Sequence, residues 1–320
     1  MNKFKLFFVI IALLIQNCRN ISPCKPTEGL DFDSDSAYSY IAEQLSFGPR
    51  VPNTPAHDSC AIYLKNKLKS YKANVYFQKA DVKKYDSTTM HIVNIIGEFY
   101  PEKQRRIVLY SHWDSRFYAD GELDSANRNH PIPGANDGAS GISILLEIAR
   151  QITKKEPNVG VDIIFFDAED QGQPLSENNF DEKSWSLGAQ YWAMHPHKKN
   201  YQAFLGINID LVGANHAMFC REDNSRYFDN FTVKRLWEFA KKLGYADYFY
   251  DNLTRPIIND HVFINEIAGI KSILIVDNRP GHFIPYFKEW HTSKDNLNVI
   301  DKNTLNAVGN VLMQYIYCLE

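Results

Sequence analysis

The chain has 320 residues, 44% of them apolar, enough to bury one substantial core while leaving one or two domains open on length alone. Charged residues make up 23% and the formal net charge is −3. That excludes the basic stripe of a nucleic-acid binder and the acidic tail of a disordered solvating segment.

Lys3 and Lys5 precede an apolar run over residues 6–15, broken by Gln16 and Asn17. Positive residues followed by a short hydrophobic stretch read as a secretory signal, too short for a membrane span. Residues 1–22 are therefore expected to be a signal peptide or lipoprotein signal, and residues 23–320 a single domain. Cys18 is a candidate lipid-attachment cysteine, although Ile15, Gln16 and Asn17 before it are not the small residues that such processing favours. A simple cleaved signal and an uncleaved anchor are the other readings. Each places the protein outside the cytoplasm, in or facing the periplasm, with the membrane reached only through this N-terminal anchor. Buried thiols are the simpler expectation for Cys24, Cys60, Cys220 and Cys318, since none forms a Cys-x-x-Cys pair; export would also permit disulfides.

No internal repeat or low-complexity linker follows. The loop Phe47-Gly48-Pro49-Arg50-Val51-Pro52 leads into an expected helix carrying Ile62, Leu64 and Leu68. Short continuous apolar runs at residues 107–110, 161–166, 204–209 and 273–276 read as buried strands. Between the first two, Ile142, Leu145, Leu146, Ala149 and Ile152 recur at helical spacing. Strand, helix, strand implies a crossover unit, so the expected fold is α/β, a mostly parallel mixed central sheet with helices on both faces. In such sheets ligands bind beyond the carboxyl ends of the strands.

Those ends are rich in metal-ligand side chains. The first run ends in Ser111-His112-Trp113-Asp114-Ser115, the second in Asp167-Ala168-Glu169-Asp170 and the third in Asp210-Leu211. Gly134-Ala135-Asn136-Asp137-Gly138 opens the intervening helix, and Trp290-His291-Thr292 comes near the C-terminus. Imidazole and carboxylate without thiolate suit a catalytic rather than a structural zinc. Singly, each residue has an ordinary reading. Asp137 and Asp260 fit helix caps, His112 a hydrogen-bonded core histidine, Glu169 and Asp170 solvated loop acids, and Trp185 and Trp290 core aromatics. Jointly they are harder to place without a cation, because adjacent carboxylates repel.

With Asp137 in Gly-Ala-Asn-Asp-Gly, Glu169-Asp170 after Phe-Phe-Asp-Ala, Asp210 in Ile-Asp-Leu-Val-Gly-Ala and His291 in Trp-His-Thr, the chain resembles the zinc aminopeptidase-like clan. Within it, the residue 47–52 loop, Asp260-His261 and Trp290 before His291 are similar to the zinc-dependent glutaminyl cyclases of the bacterial type. The resemblance runs from Phe47 to Asn296. It implies one Zn²⁺ per chain held by Asp137, Asp170 and His291, with Glu169 as general acid/base. Asp210 and Asp260 would orient the substrate, and Trp185, Phe287 and Trp290 would shape its pocket. It also implies conversion of N-terminal glutamine of peptides or proteins to pyroglutamate with release of ammonia, by a catalytic domain expected to be monomeric. Two departures stand out. Asp170 occupies a position where the animal enzymes have Glu, and residues 278–286, with Arg279 and Pro280, have no counterpart in the animal pattern. The nearest rival is a two-zinc aminopeptidase, for which His112 and Asp210 would hold the second metal. A binding ectodomain that has lost catalysis is a rival of another class, against which Asp137, Glu169, Asp170 and His291 all persist.

Overall fold

The computed structural model describes residues 24–174, 181–281 and 284–319; the signal-peptide and Cys18 readings lie outside them. After α1 (Ser34–Leu45) and α2 (Pro55–Ser70) the chain forms β1 (Asn74–Lys83) and β2 (Thr89–Phe99), then β3 (Arg106–His112), α3 (Ala139–Ile152) and β4 (Gly160–Phe166). There follow α4 (Leu187–Met194), β5 (Leu205–Asp210), β6 (Phe219–Glu222), α5 (Asp223–Lys242), β7 (Phe249–Thr254), α6 (Asp260–Glu266), β8 (Ser272–Val276) and α7 (Lys302–Tyr317).

All four expected strands form: β3, β4, β5 and β8 are parallel neighbours in a six-stranded sheet of order β1-β2-β4-β3-β5-β8, with β1 and β2 added antiparallel at one edge. Every residue of β3, β4, β5 and β8 is buried, the condition for continuous rather than alternating apolar runs. Ile107, Leu109, Val161, Ile163 and Phe165 pack on one face with α1, α2, α3, α5 and α7. Val108, Tyr110, Ile164 and Phe166 pack on the other with Ala189 and Trp192 of α4 and Ile264 of α6. Burying each such side chain contributes about 1.5–3 kcal/mol before the entropy of ordering it is counted. Among the described residues no helix is long and apolar enough to cross a membrane.

The helix expected after the residue 47–52 loop forms as α2, with His57, Cys60, Ala61, Leu64 and Leu68 on its buried face and Ile62 48% exposed. The expectation for the cysteines needs correction. Cys24 and Cys318 form a disulfide that joins the start of the described chain to the residue after α7, and among the described residues only Cys60 and Cys220 are buried thiols. The pairing spans 294 positions of sequence, a juxtaposition that local pattern cannot reveal.

Candidate metal centre and active site

Because β3, β4 and β5 run parallel, their carboxyl ends bring His112, the loop carrying Glu169 and Asp170, and Asp210 to one edge of the sheet. Asp137 arrives just before α3. It does not cap that helix: Gly138 is the cap residue, with φ 95°, and a Cβ there would meet the Asp114 carbonyl oxygen at 2.5 Å. Ala168, Leu211 and His291 also adopt left-handed backbone, at φ 52°, 52° and 56°. Such non-glycine residues cost on the order of 1–3 kcal/mol each and cluster where a fold aims functional groups.

The carboxylate of Asp137 faces two histidines. Its Oδ1 is 3.2 Å from His112 Nε2, and its Oδ2 is 3.6 Å from His291 Nε2. His291 Nε2 is also 3.1 Å from Asp170 Oδ1, and His112 Nε2 is 3.2 Å from Asp210 Oδ1. Two overlapping sets result, Asp137-Asp170-His291 and His112-Asp137-Asp210, each with one ligand atom per residue inside 4.8 Å of the others. Asp137 Oδ2 and Asp170 Oδ2 are buried and accept no hydrogen bond among the described residues, a costly arrangement unless a cation meets them. The donor set therefore fits a divalent metal of the zinc type, three protein ligands leaving a further position open.

Residues 94–316, well over half of the chain, match Peptidase family M28. The chain belongs to this family. A Zn-dependent exopeptidase from Parabacteroides distasonis is 45% identical over 90% of this chain and 99% of its own, with a TM-score of 0.88. A glutaminyl cyclase from Bacteroides thetaiotaomicron, solved with N-acetylhistamine bound, is 46% identical over 91% of this chain and 99% of its own, with a TM-score of 0.89. The glutaminyl-peptide cyclotransferase of Gloydius blomhoffii is 24% identical over 298 residues, 83% of this chain and 76% of that protein.

The solvated-acid reading of Glu169 and Asp170 does not survive, since they are 5% and 2% exposed. Burial pushes the Glu169 carboxyl well up, and Asp260, Asp210 and Asp170 add to the shift against the opposing pull of His112. Burial likewise lifts Asp137 to about 6, with Asp170 adding to it, and Asp260 to about 7. For His291 burial works against the imidazolium, but Asp170 and Asp120 outweigh it and raise the ring to about 9. Asp260 is no helix cap either. Asn259 caps α6 by accepting the Asp260 N–H, and Asn259 Nδ2 donates to Asp210 Oδ2 at 2.9 Å.

Trp290 stacks on His291 with ring centroids 3.5 Å apart, and Trp185 lies parallel to the same imidazole at 6.2 Å. Both indoles are only part-buried and line a cleft of about 1120 Å³ together with Tyr286. Phe287 lies behind the cleft surface. It is buried among Leu211, Ala214, Ile257, Leu274 and Val276, and Tyr286 and Trp290 pack against that cluster. The side chain supports the pocket wall from behind.

Sequence reasoning missed the carboxylates that clasp each loop carrying a candidate ligand. Asp114 accepts the N–H groups of Glu169 and Asp170, both at 3.1 Å, and the side-chain amide of Gln171. Asp295 accepts those of Asn136 and Asp137 at 2.8 and 3.0 Å. Asp120 Oδ1 is 2.7 Å from His291 Nδ1 and is itself held by the buried Arg116 guanidinium. His57 pairs with Asp167 at 2.8 Å and stacks on Trp113. Arg50, from the residue 47–52 loop, is fully buried and donates to the carbonyls of Trp113, Pro133 and Gly134. That loop thus braces the approach to Asp137. Asp114, Asp167 and Arg50 stood in stretches that the sequence marked, but nothing there separated a supporting role from that of a ligand, and Asp120 and Asp295 carried no signal at all.

Proposed function

We propose that the chain is a glutaminyl-peptide cyclotransferase that converts the N-terminal glutamine of peptides or proteins to pyroglutamate and releases ammonia. The observation that carries this reading is the 46% identity to the Bacteroides glutaminyl cyclase across nearly its whole length, together with a buried Glu169, Asp210 and Asp260 beside an aromatic wall. Asp137, Asp170 and His291 would hold one zinc, which when bound supplies a Lewis-acidic position for the γ-carbonyl oxygen.

The substrate's own α-amine attacks the δ-carbon of its side chain, so the protein restricts conformation and moves protons. Glu169 takes a proton from the amine, whose reference pKa is about 7.7–8.0, and delivers it to the amide nitrogen as the C–N bond breaks and ammonia leaves. Asp210 and Asp260 accept hydrogen bonds from that nitrogen. Burial lifts the Asp260 carboxyl to about 7, and the charge of Asp210 adds to the shift. Asp210 is oriented by Asn259 and His112. Trp185 and Trp290 keep water from the reacting carbonyl, so attack by the amine outcompetes hydrolysis.

His112 Nε2, equidistant at 3.2 Å from Asp137 and Asp210, can place an N–H between the two carboxylates, which supports a single zinc. The same three residues meet the geometric requirement for a second metal, and this favours the two-zinc aminopeptidase as the alternative. The Cys24–Cys318 disulfide supports an exported protein, because such bonds persist in oxidising compartments. Export signal over residues 1–22, possible lipid attachment at Cys18 and a monomeric catalytic domain over residues 23–320 complete the proposal. Incubating the purified, zinc-loaded chain with a glutaminyl dipeptide, with and without chelator, should give ammonia and cyclic product only without chelator, at one zinc per chain. Two zincs with release of free amino acids would establish the alternative.

A further inference from the structure

The cleft that opens beside His291 is larger than a glutaminyl head requires. It holds about 1120 Å³, above the roughly 300–1,000 Å³ of a pocket for one small ligand. Trp185, Trp290 and Tyr286 line the end beside His291, and residues 253–258, Asp223 and Arg226 of α5, residues 278–281, Ile284 and Pro285 line the remainder. Pro256, Pro280 and Pro285 lie in these walls and have no N–H to offer a backbone ladder, so recognition there falls to side chains. Leu253 and Ile284 stand 57% and 45% exposed on the lining, an apolar surface that water meets unless a ligand covers it.

The charges on this surface are unevenly satisfied. Arg226 pairs with Asp223 at 2.7 Å, and Arg279 with Asp277 at 3.1 Å. Arg255 is exposed and makes no ion pair among the described residues. Glu182 belongs to the short turn that leads directly into Trp185, at the end beside His291. A chain leaving the active site therefore meets a carboxylate near its start and an unpaired guanidinium on the strand-end segment that follows β7.

We propose that this cleft is a subsite for the residues after the first of an extended polypeptide substrate, with Leu253 and Ile284 taking apolar side chains and Arg255 selecting an acidic group at the third or fourth residue. The inference rests on the cyclotransferase reading. The occupant is the continuation of the substrate, because the indoles that flank His291 also line the cleft. Exposed ion pairs are weak, so Arg255 sets preference rather than capacity: about a two- to fivefold effect.

The test uses the zinc-loaded full chain and measures kcat/KM for Gln-Ala, Gln-Ala-Ala-Ala, Gln-Ala-Ala-Glu, Gln-Ala-Ala-Lys, and peptides with Glu moved to the second and third positions. Wild type should favour the tetrapeptides over Gln-Ala, and Glu over Lys at the outer positions, with Glu least favoured at the second. Arg255→Ala should bring the Glu/Lys ratio to about one and Arg255→Glu should reverse it, while Gln-Ala turnover stays unchanged in both. Leu253→Asp should lower turnover of the tetrapeptides alone. A Glu/Lys ratio that survives both Arg255 substitutions, or equal kcat/KM from dipeptide to tetrapeptide, overturns the subsite. Failure of Gln-Ala itself to cyclise would instead overturn the underlying activity.

Discussion

Asp120 Oδ1 and His291 Nδ1 are 2.7 Å apart, which fixes the imidazole with its other nitrogen turned toward Asp137 and Asp170. The carboxylate is in turn gripped by both ends of the Arg116 guanidinium, and His291 and Arg116 together outweigh burial to hold its pKa well below the usual range. Gly121 follows at once: its N–H donates to the His291 carbonyl, and a Cβ there would meet the Trp290 carbonyl oxygen at 2.3 Å. The loop after β3 and the loop after β8 are thus locked together around one candidate ligand.

Asp120→Asn should weaken zinc binding by about 10- to 100-fold, the usual cost of removing a carboxylate behind a metal-bound histidine. Competition against a chromophoric chelator measures it. Wild-type affinity in the variant would mean that stacking on Trp290 alone orients the ring.

Glu169→Gln should keep its zinc and lose about 10²- to 10⁴-fold in kcat, since the amide preserves shape but carries no transferable proton. Metal analysis and turnover of a glutaminyl dipeptide are read on the same sample. Near-normal turnover would remove Glu169 from proton transfer.

Gly172→Ala addresses the pocket wall. A Cβ at this position would lie 2.2 Å from the Trp185 ring, which is pinned on another side by the Arg116 guanidinium at 4.6 Å from its centroid. The indole must shift, so KM for glutaminyl peptides should rise by about tenfold while zinc content is unchanged, since small misplacements of positioning groups are costly. An unaltered KM would show that Trp185 does not contact substrate.

His197 provides a pH test of stability away from the centre. Its ring packs against Tyr76, Trp192 and Tyr201, and the Trp192 indole N–H donates to Nδ1 at 3.1 Å. Burial lowers its pKa to about 4, more than the neighbouring acids Asp162 and Glu98 raise it. The folded state therefore resists a proton that the unfolded chain accepts near pH 6.5. The stability this contributes is complete above about pH 6.5 and is lost as pH falls toward 4, on the order of 2 kcal/mol once partial exposure is allowed for. Urea denaturation of wild type and His197→Phe at pH 7 and pH 5 checks it; equal losses in the two proteins would exclude His197 as the source.

Particular elements show why parts of this protein are legible before folding. The runs that became β3, β4, β5 and β8 are continuous because both faces of those strands are covered, and α3 shows its spacing because one side meets the sheet. The β1–β2 edge escaped notice, since half-exposed β1 has no continuous apolar run and β2, though largely buried, is interrupted by Asn94, Gly97 and Glu98. Asp137, Glu169, Asp170 and Asp210 could be singled out because each follows a recognisable strand or opens a recognisable helix, whereas His291 lies in a loop well past β8 and was marked through the Trp-His-Thr resemblance.

By itself, the sequence determined the parallel strand segments, the order of crossovers and the kind of donor atoms at the strand ends. These follow from periodicity and residue chemistry, which act over a few positions. Only the tertiary structure decided that Asp137 faces two histidines at once, that Asp120 and Asp295 clasp ligand loops from 171 and 158 positions away, that Cys24 meets Cys318, and that Phe287 stands behind the wall. Contacts of that range depend on how the packed sheet brings distant loops together, and no local pattern encodes a distance.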